Sequence, residues 1–136
     1  MTEKSFYFDT SIWLDIYEKR GNNGEQARKL FKRFIKEDNL IFYSDLHIAE
    51  FKRLGYSKQE IDIILGIAKP DNLRKAHVYK KQIEDARKLA RQRNIPEADV
   101  LHAMLAKDNA AQFISRDKHF TKLKDIAITK PPEEFN

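Results

Sequence analysis

The spacing of apolar positions along the chain changes between two periods, which predicts short buried strands separated by helices. Short apolar runs predict strands at residues 5–8, 40–43 and 112–115, and residues 126–128 predict a final strand. Between these runs, apolar residues recur every three or four positions, as they do on one face of a helix. Strands that alternate with helices favour a parallel sheet covered by helices, so we predict an α/β fold.

The helical segments begin and end at residues that suit those positions. Ser57 and Glu60 form a capping-box pattern, and Pro96 suits a first helical turn. Gly55 and Asn109 are predicted helix stops. The predicted helices, in chain order, begin at Thr10 or Ser11, ahead of Ala27, at Ser44 or Asp45, after Ser57, at Leu73 and near Pro96.

Two further segments have definite assignments from their residue types. Residues 21–24, Gly-Asn-Asn-Gly, predict a turn between the first two helices. Residues 73–93 predict one long helix, with Tyr79 and Ile83 among the apolar positions of its buried face. The basic residues of this segment fall mostly on the other faces of that helix.

Length and composition fit one globular domain, which we predict to span residues 1–136, with 131–136 as a short tail after a Pro-Pro pair. The sequence has no cysteine, which excludes disulfides and thiol catalysis and fits a reducing compartment. No apolar run approaches the ~18 residues of a membrane span. Lys4 and Asp9 do not suit a secretory signal, so we expect a cytoplasmic protein without membrane association.

The net charge of +5 is concentrated in one block. Residues 69–93 contain nine Lys and Arg against three acids, while the rest of the chain is nearly neutral. Such a block indicates either a polyanion partner or a solvated helix face. If the partner is RNA, the expected phosphate contacts are Arg74, Lys75, Lys80, Lys81, Arg87 and Lys88.

Four acids lie near the ends of predicted strands and helices. In a parallel sheet the carboxyl ends of the strands meet at one edge, where ligands bind. Asp9 follows the first strand and Asp117 follows the strand at 112–115. Glu50 lies in the helix after the second strand, and Asp99 lies in the first turn of the helix near Pro96. Singly, each has an ordinary reading as a helix cap, a dipole partner or a surface acid. Together they indicate a cation site, and oxygen ligands without cysteine favour Mg²⁺ or Mn²⁺.

Four segments also match a known family in its order and at its usual separations. They are residues 8–11 (Phe-Asp-Thr-Ser), 44–50, 96–103 (Pro-Glu-Ala-Asp-Val-Leu-His-Ala) and 115–120 (Ser-Arg-Asp-Lys-His-Phe). On these segments the chain resembles the PIN domain family, and most of all its small single-domain members of the VapC toxin type.

The resemblance implies a three-layer α/β/α sandwich with a mostly parallel sheet of about five strands. It also implies an endoribonuclease that uses Mg²⁺ or Mn²⁺, held by Asp9, Glu50, Asp99 and Asp117. Ser11 matches the family's small hydroxyl residue beside the first acid, and Ser115 matches the Ser or Thr before the last. A VapC-like protein would pair with a small antitoxin, and family members often form homodimers.

Two other functions remain open on the sequence alone. One is a PIN-fold module that binds RNA or protein without cutting it. The other is a phosphatase on a related sheet, although Ser11 stands where a haloacid-dehalogenase-type enzyme needs a second Asp. Of the histidines, His102 is expected to be packed or hydrogen-bonded rather than a base. His119 is expected to orient an acid or a phosphate.

Overall fold

A computed structural model describes residues 4–68 and 70–135. Within these residues, five parallel strands form one sheet: β1 (Ser5–Phe8), β2 (Leu40–Ser44), β3 (Leu73–Ala76), β4 (Gln112–Ile114) and β5 (Thr129–Lys130). Their order across the sheet is β3-β2-β1-β4-β5. The central strand is therefore the first in the chain, and the chain extends the sheet outward from it on both sides.

In the described part of the chain, six α-helices cover the two faces of this sheet: α1 (Thr10–Glu18), α2 (Gly21–Lys36), α3 (Asp45–Arg53), α4 (Lys58–Gly66), α5 (Lys80–Arg93) and α6 (Glu97–Asp108). Successive side chains of a strand point to opposite faces. Phe6 and Phe8 thus join one core cluster with α1, α2 and α4, whereas Tyr7 joins a second cluster with α5 and α6. The predicted three-layer sandwich is confirmed.

Several helix boundaries are also confirmed. Ser44 and Ser57 both cap helices through reciprocal capping boxes, which involve His47 and Glu60 respectively. Gly55 follows the end of α3 at a φ of 99°, a left-handed conformation that glycine adopts without strain. No helix within residues 4–68 and 70–135 is long and apolar enough to cross a membrane.

The long helix expected at residues 73–93 is wrong in its first part. Leu73–Ala76 instead forms β3, which pairs in parallel with β2 from Ile41 to Ser44, and α5 begins only at Lys80. The local sequence, Leu-Arg-Lys-Ala, has good helix propensity, but pairing with a distant strand outweighs it. Tyr79 is consequently 63% exposed rather than on a buried helix face.

The turn expected at residues 21–24 is also wrong, because α2 already begins at Gly21. The two glycines serve the junction with α1 instead. Gly21 has a φ of 55°. A Cβ on Gly24 would lie 2.7 Å from the backbone oxygen of Asp15, so only glycine allows this close approach of α1 and α2.

The C-terminal elements differ from the prediction in two respects. The final strand is Thr129–Lys130 rather than 126–128, because Thr129 and Lys130 pair with Phe113 and Ile114 of β4. The expected tail contains a 3-10 helix, Pro132–Phe135, and the Phe135 ring packs edge-on against Phe34 with 5.9 Å between centroids. Residues 1–3, Lys69 of the basic block and Asn136 of the tail lie outside the described residues.

Candidate functional site

The candidate site lies at the carboxyl ends of β1 and β4, the two neighbouring strands at the centre of the sheet. The chain moves from β1 to one side through β2 and β3, and the other side is formed by β4 and β5. A crevice opens at such a switch point, and open parallel sheets bind ligands there. Asp9 directly follows β1, and Asp117 lies three residues beyond the end of β4.

Asp9 is held by two serine hydroxyls rather than by a helix end. Its Oδ2 accepts hydrogen bonds from Ser11 Oγ at 3.0 Å and from Ser115 Oγ at 2.8 Å. Asp9 does occupy the N-cap position of α1, but its carboxylate makes no capping bond. Burial raises the pKa of this carboxyl, and the charge of Glu50 adds to the rise, while His102 and the two hydroxyls oppose it. Both serines named by the family resemblance therefore contact the first acid.

Glu50 is not the surface acid of its ordinary reading, since its side chain is 24% exposed. Its Oε1 accepts hydrogen bonds from Thr10 Oγ1 at 3.2 Å and from His102 Nε2. Burial by itself would raise the pKa of Glu50, but the His102 hydrogen bond and charge, together with Thr10, hold that pKa below its usual range. The carboxylate is thus kept in the ionised form that binds cations.

Asp99 and Asp117 form the outer part of the site. Asp99 lies in the first turn of α6. Burial raises the pKa of Asp99, and the charges of Asp117 and Asp9 raise it further. Asp117 does cap a helix, because its Oδ1 accepts from the His119 backbone at 2.9 Å at the start of the 3-10 helix Lys118–Leu123. Its backbone N–H donates to Ser115 Oγ at 3.0 Å.

The four acids form one electrostatic group, since Glu50 acts on Asp9, and Asp9 and Asp117 act on Asp99. Histidines are their only ion-pair partners in the described part of the chain, with His119 Nδ1 3.2 Å from Asp117 Oδ1. Within residues 4–68 and 70–135, no three acids or histidines are arranged as ligands of one ion. The donor chemistry nevertheless fits a hard divalent cation. To share one ion, the carboxylates would have to lie closer together than they do here.

The six predicted phosphate-binding residues are all exposed but lie on two elements. Arg74 and Lys75 belong to β3, and Lys75 pairs with Asp45 at 2.9 Å. The other four share one face of α5, since positions i, i+1, i+7 and i+8 lie within about 120° of arc. They are Lys80, Lys81, Arg87 and Lys88. Arg87 lies 3.5 Å from Glu97, in the same first turn of α6 as Asp99, so this end of the basic face packs near the start of α6.

Sequence reasoning missed a buried polar network behind Glu50. His102 is 2% exposed and connects Glu50 to Tyr7, which in turn contacts Ser44. The expectation of a hydrogen-bonded His102 is confirmed. Tyr7 gave no signal, because an aromatic residue in an apolar strand is read as core. A polar tip on a fully buried tyrosine needs a partner, and that requirement was the available clue.

The fold agrees with comparisons to known proteins. The model of the PIN domain matches residues 6–126, so the chain belongs to the PIN domain family. VapBC2 from Rickettsia felis, solved bound to a DNA fragment from its promoter, has a similar fold at a TM-score of 0.69 and 19% identity, covering 93% of this chain and 98% of that one. FitAcB from Neisseria gonorrhoeae is similar at a TM-score of 0.60 and 18% identity, covering 94% and 98%. No curated protein matches the chain.

Membership of this family agrees with the resemblance seen in the sequence. PIN domains are generally nucleases and typically use divalent metal ions. The four acids lie where the fold opens, and their chemistry is that of such ligands. The site is therefore a candidate nuclease centre.

Proposed function

We propose that this protein is a metal-dependent endoribonuclease, and that Asp9, Glu50, Asp99 and Asp117 hold Mg²⁺ or Mn²⁺. The observation that supports this most directly is the group of four mutually repelling acids at the switch point of a PIN fold. Such repulsion is tolerated when a cation neutralises it. We expect the protein to act in the cytoplasm, where its RNA substrate is available.

The residues of the site divide into ligands and supports. Asp9 and Glu50 would be the fixed ligands, because neighbouring hydroxyls and His102 already hold them. Asp99 and Asp117 would complete the site from α6 and from the segment after β4. A bound Mg²⁺ or Mn²⁺ would lower the pKa of a water and neutralise charge on the phosphate. Ser115 supports two acids at once, since its hydroxyl donates to Asp9 and accepts from the Asp117 backbone.

RNA is the substrate that the charge distribution favours. Lys80 and Lys88 are exposed on the basic face of α5 and make no ion pair within the described residues. Replacing both with Gln should flatten the plot of log affinity against log salt by roughly 0.7 for each lost phosphate contact with a single strand. Lys29→Gln with Lys32→Gln, on α2 at the opposite face of the sheet, is the matched control. An equal slope for the Lys80/Lys88 variant and the parent would assign this face to solvent.

Cleavage itself is tested with purified protein on single-stranded and structured RNA. We expect cutting with Mn²⁺ or Mg²⁺ and none in excess EDTA. Full activity in EDTA would contradict the metal mechanism. A parent that binds RNA but never cuts it, with either metal, would instead favour the non-cutting PIN module, and phosphate-ester turnover without RNA cleavage would favour a phosphatase.

An antitoxin is the protein partner that we propose. An apolar groove of about 710 Å³ lies between α1, α2 and the end of α4, with Ile16, Tyr17, Phe31, Ile35 and Ile67 among its lining residues. Its rim is basic through Lys19, Arg28, Lys32 and Lys36. An apolar segment with acidic residues is complementary to this surface. The similar fold of VapBC2 from Rickettsia felis supports the choice of an antitoxin.

The adjoining reading frame provides the test. Its product, co-expressed with this chain, should form a complex that suppresses RNA cleavage. Ile35→Glu should abolish the complex while leaving cleavage by the free protein intact, because Ile35 lies in the last turn of α2, which leads into the amino end of β2 at the edge of the sheet opposite the four acids. Lys58→Glu on α4 is an exposed control outside the groove. A complex that tolerates Ile35→Glu would exclude this groove. The family resemblance also implies a homodimer, and measuring the molecular mass of the free chain in solution tests for it.

A further inference from the structure

A chain of buried polar side chains runs behind Glu50, from β1 and β2 to α6. Tyr7, Ser44 and His47 are 0% exposed, and His102 is 2% exposed. The rings of Tyr7, His47 and His102 lie close together, with 4.9 Å between the centroids of His47 and His102. Four buried polar groups in one place require partners for every donor and acceptor. The pattern of partners shows what the network holds.

His47 fixes the inner end of the network. Its Nε2 lies 2.6 Å from the Phe8 carbonyl, which can only accept, so Nε2 donates. Burial, and secondarily the neighbouring His102, lowers the pKa of His47 well below its ordinary value, so the ring is neutral. Its bare Nδ1 then accepts from the Ser44 backbone N–H at 3.0 Å. Ser44 is thereby locked in place at the end of β2.

Tyr7 connects Ser44 to His102. Its hydroxyl lies 3.2 Å from Ser44 Oγ and 2.6 Å from His102 Nδ1. Burial raises the pKa of Tyr7, so the hydroxyl keeps its proton. A tyrosine hydroxyl can donate to a bare nitrogen or accept from a protonated one, so Tyr7 anchors the His102 ring in either form. The opposite nitrogen, Nε2, then faces Glu50.

The outer end of the network acts on one oxygen of Glu50. A carboxylate only accepts, so His102 Nε2 must donate to Oε1. Thr10 Oγ1 donates to the same Oε1 at 3.2 Å. The two bonds therefore orient the carboxylate group through Oε1 and leave Oε2 without a hydrogen-bond partner among the described residues.

We propose that His102, anchored by Tyr7, is a positioning residue that fixes Glu50 Oε1 and presents Oε2 as the ligand atom. This inference rests on the proposed function, because the ligand in question is the divalent cation. Residues that hydrogen-bond a metal ligand set its orientation, and their loss weakens metal binding about 10–100-fold. A network that served packing alone would not need to end on this acid.

Direct measurement of Mn²⁺ binding, by calorimetry on purified protein, tests the proposal. His102→Leu removes the donor, and we expect Mn²⁺ affinity to fall about 10–100-fold. His102→Gln places an amide donor near the position of Nε2, and we expect most of the affinity to return. Equal losses in the Leu and Gln variants would assign the effect to packing and overturn the proposal.

Two further variants separate positioning from stability. Phe34→Leu truncates a core side chain on the opposite face of the sheet, and we expect a lower melting temperature with parental Mn²⁺ affinity. Tyr7→Phe keeps the ring and removes only the anchor, and we expect Mn²⁺ affinity severalfold below that of the parent. Tyr7→Phe also preserves a test if His102→Leu does not fold. Parental Mn²⁺ affinity in Tyr7→Phe would contradict the anchoring of His102.

A readout without metal distinguishes this proposal from the proposed function. Imidazole ¹⁵N NMR of the metal-free parent should show His102 with a slowly exchanging proton on Nε2. A bare Nε2 would overturn the proposal, because Glu50 could not accept from it. A parent with that proton but neither Mn²⁺ binding nor RNA cleavage would contradict the proposed function while supporting the His102–Glu50 bond.

Discussion

The short segment after β4 lies between two sets of carboxylates. The first is the group of four site acids. The second, the structural set, consists of Asp15 and Glu133. Ser115 and Asp117 face the candidate site, where Ser115 donates to Asp9. Arg116, between them, turns to the other side and donates to Asp15 Oδ2 at 3.1 Å. It also binds Glu133 of the C-terminal 3-10 helix and the Asn23 carbonyl.

The charged neighbours with the largest effects on Asp15 and on Asp99 have opposite signs. Burial raises the pKa of Asp15, but Arg116 and Arg20 oppose the rise. Burial likewise raises the pKa of Asp99, and there Asp117 and Asp9 reinforce it. Arg116 is the neighbour of Asp117 in the chain, yet its ion pairs are with Asp15 and Glu133 of the structural set. Within the described residues, no lysine or arginine forms an ion pair with the four site acids, which fits the cation that we propose for the site.

The largest expected effect separates the two sets by activity. Asp9→Asn should reduce RNA cleavage about a hundredfold or more, because a neutral amide is a poor ligand for a hard cation and a preorganised charge is lost. Asp15→Asn, the same change in the structural set, should leave cleavage near the parental rate well below its melting temperature. Initial cleavage rates in Mn²⁺ measure both. Comparable losses in the two variants would erase the distinction.

The second effect concerns stability rather than activity. Arg116→Gln leaves Asp15 without its main partner, and the side chains are only 19% and 10% exposed. We expect the free energy of unfolding to fall by about 2–4 kcal/mol, since removing one partner of a buried pair is strongly destabilising. Denaturant unfolding measures this difference. The stabilisation that Mn²⁺ gives should remain, because the site ligands are unchanged.

Arg20→Gln is the matched control for this prediction. Arg20 lies 3.7 Å from the same Asp15, but its side chain is 44% exposed. Exposed ion pairs contribute little, so we expect a loss under about 1 kcal/mol. Equal losses in the two arginine variants would show that burial does not decide the strength of these pairs.

The sequence predicted most of the fold because its strongest patterns are local. The apolar run of β1 and the three-to-four spacing of α2 both report burial directly. The edge strand β3 could not be predicted in this way. Leu73–Ala76 contains two exposed basic residues, and only its pairing with β2 makes it a strand. Gly24 shows the same limit, since its role depends on where α1 lies.

The candidate site shows a similar division. Four acids at element ends could be found from the sequence, because parallel topology brings such ends together. Their supports could not, with the exception of Ser11 and Ser115. Tyr7 and His102 are 95 residues apart. Their contact depends on the packing of α6 against β1, which no local pattern reports.

The smallest expected effect is the contribution of Asp99 to the pH dependence of stability in EDTA. Asp99 has a raised pKa in the folded protein, so folding disfavours its charged form. Its stabilising contribution is complete below the unfolded pKa and is lost as pH rises through the folded pKa. Asp99→Asn removes this loss while keeping the side-chain shape. The variant should lose cleavage, yet at neutral pH in EDTA it should melt no lower than the parent.

Melting curves of the parent and Asp99→Asn, from acid to neutral pH, test this sign. The gap between them should move in favour of the variant as pH rises, and added Mn²⁺ should stabilise the parent more, because only binding to the folded state shifts the melting temperature. If Asp99 were a helix-dipole partner, its charged form would be favoured. The variant would then lose stability as pH rises and show no difference in its response to Mn²⁺. That pattern would exclude Asp99 from the proposed metal ligands and leave Asp9, Glu50 and Asp117 as the candidates.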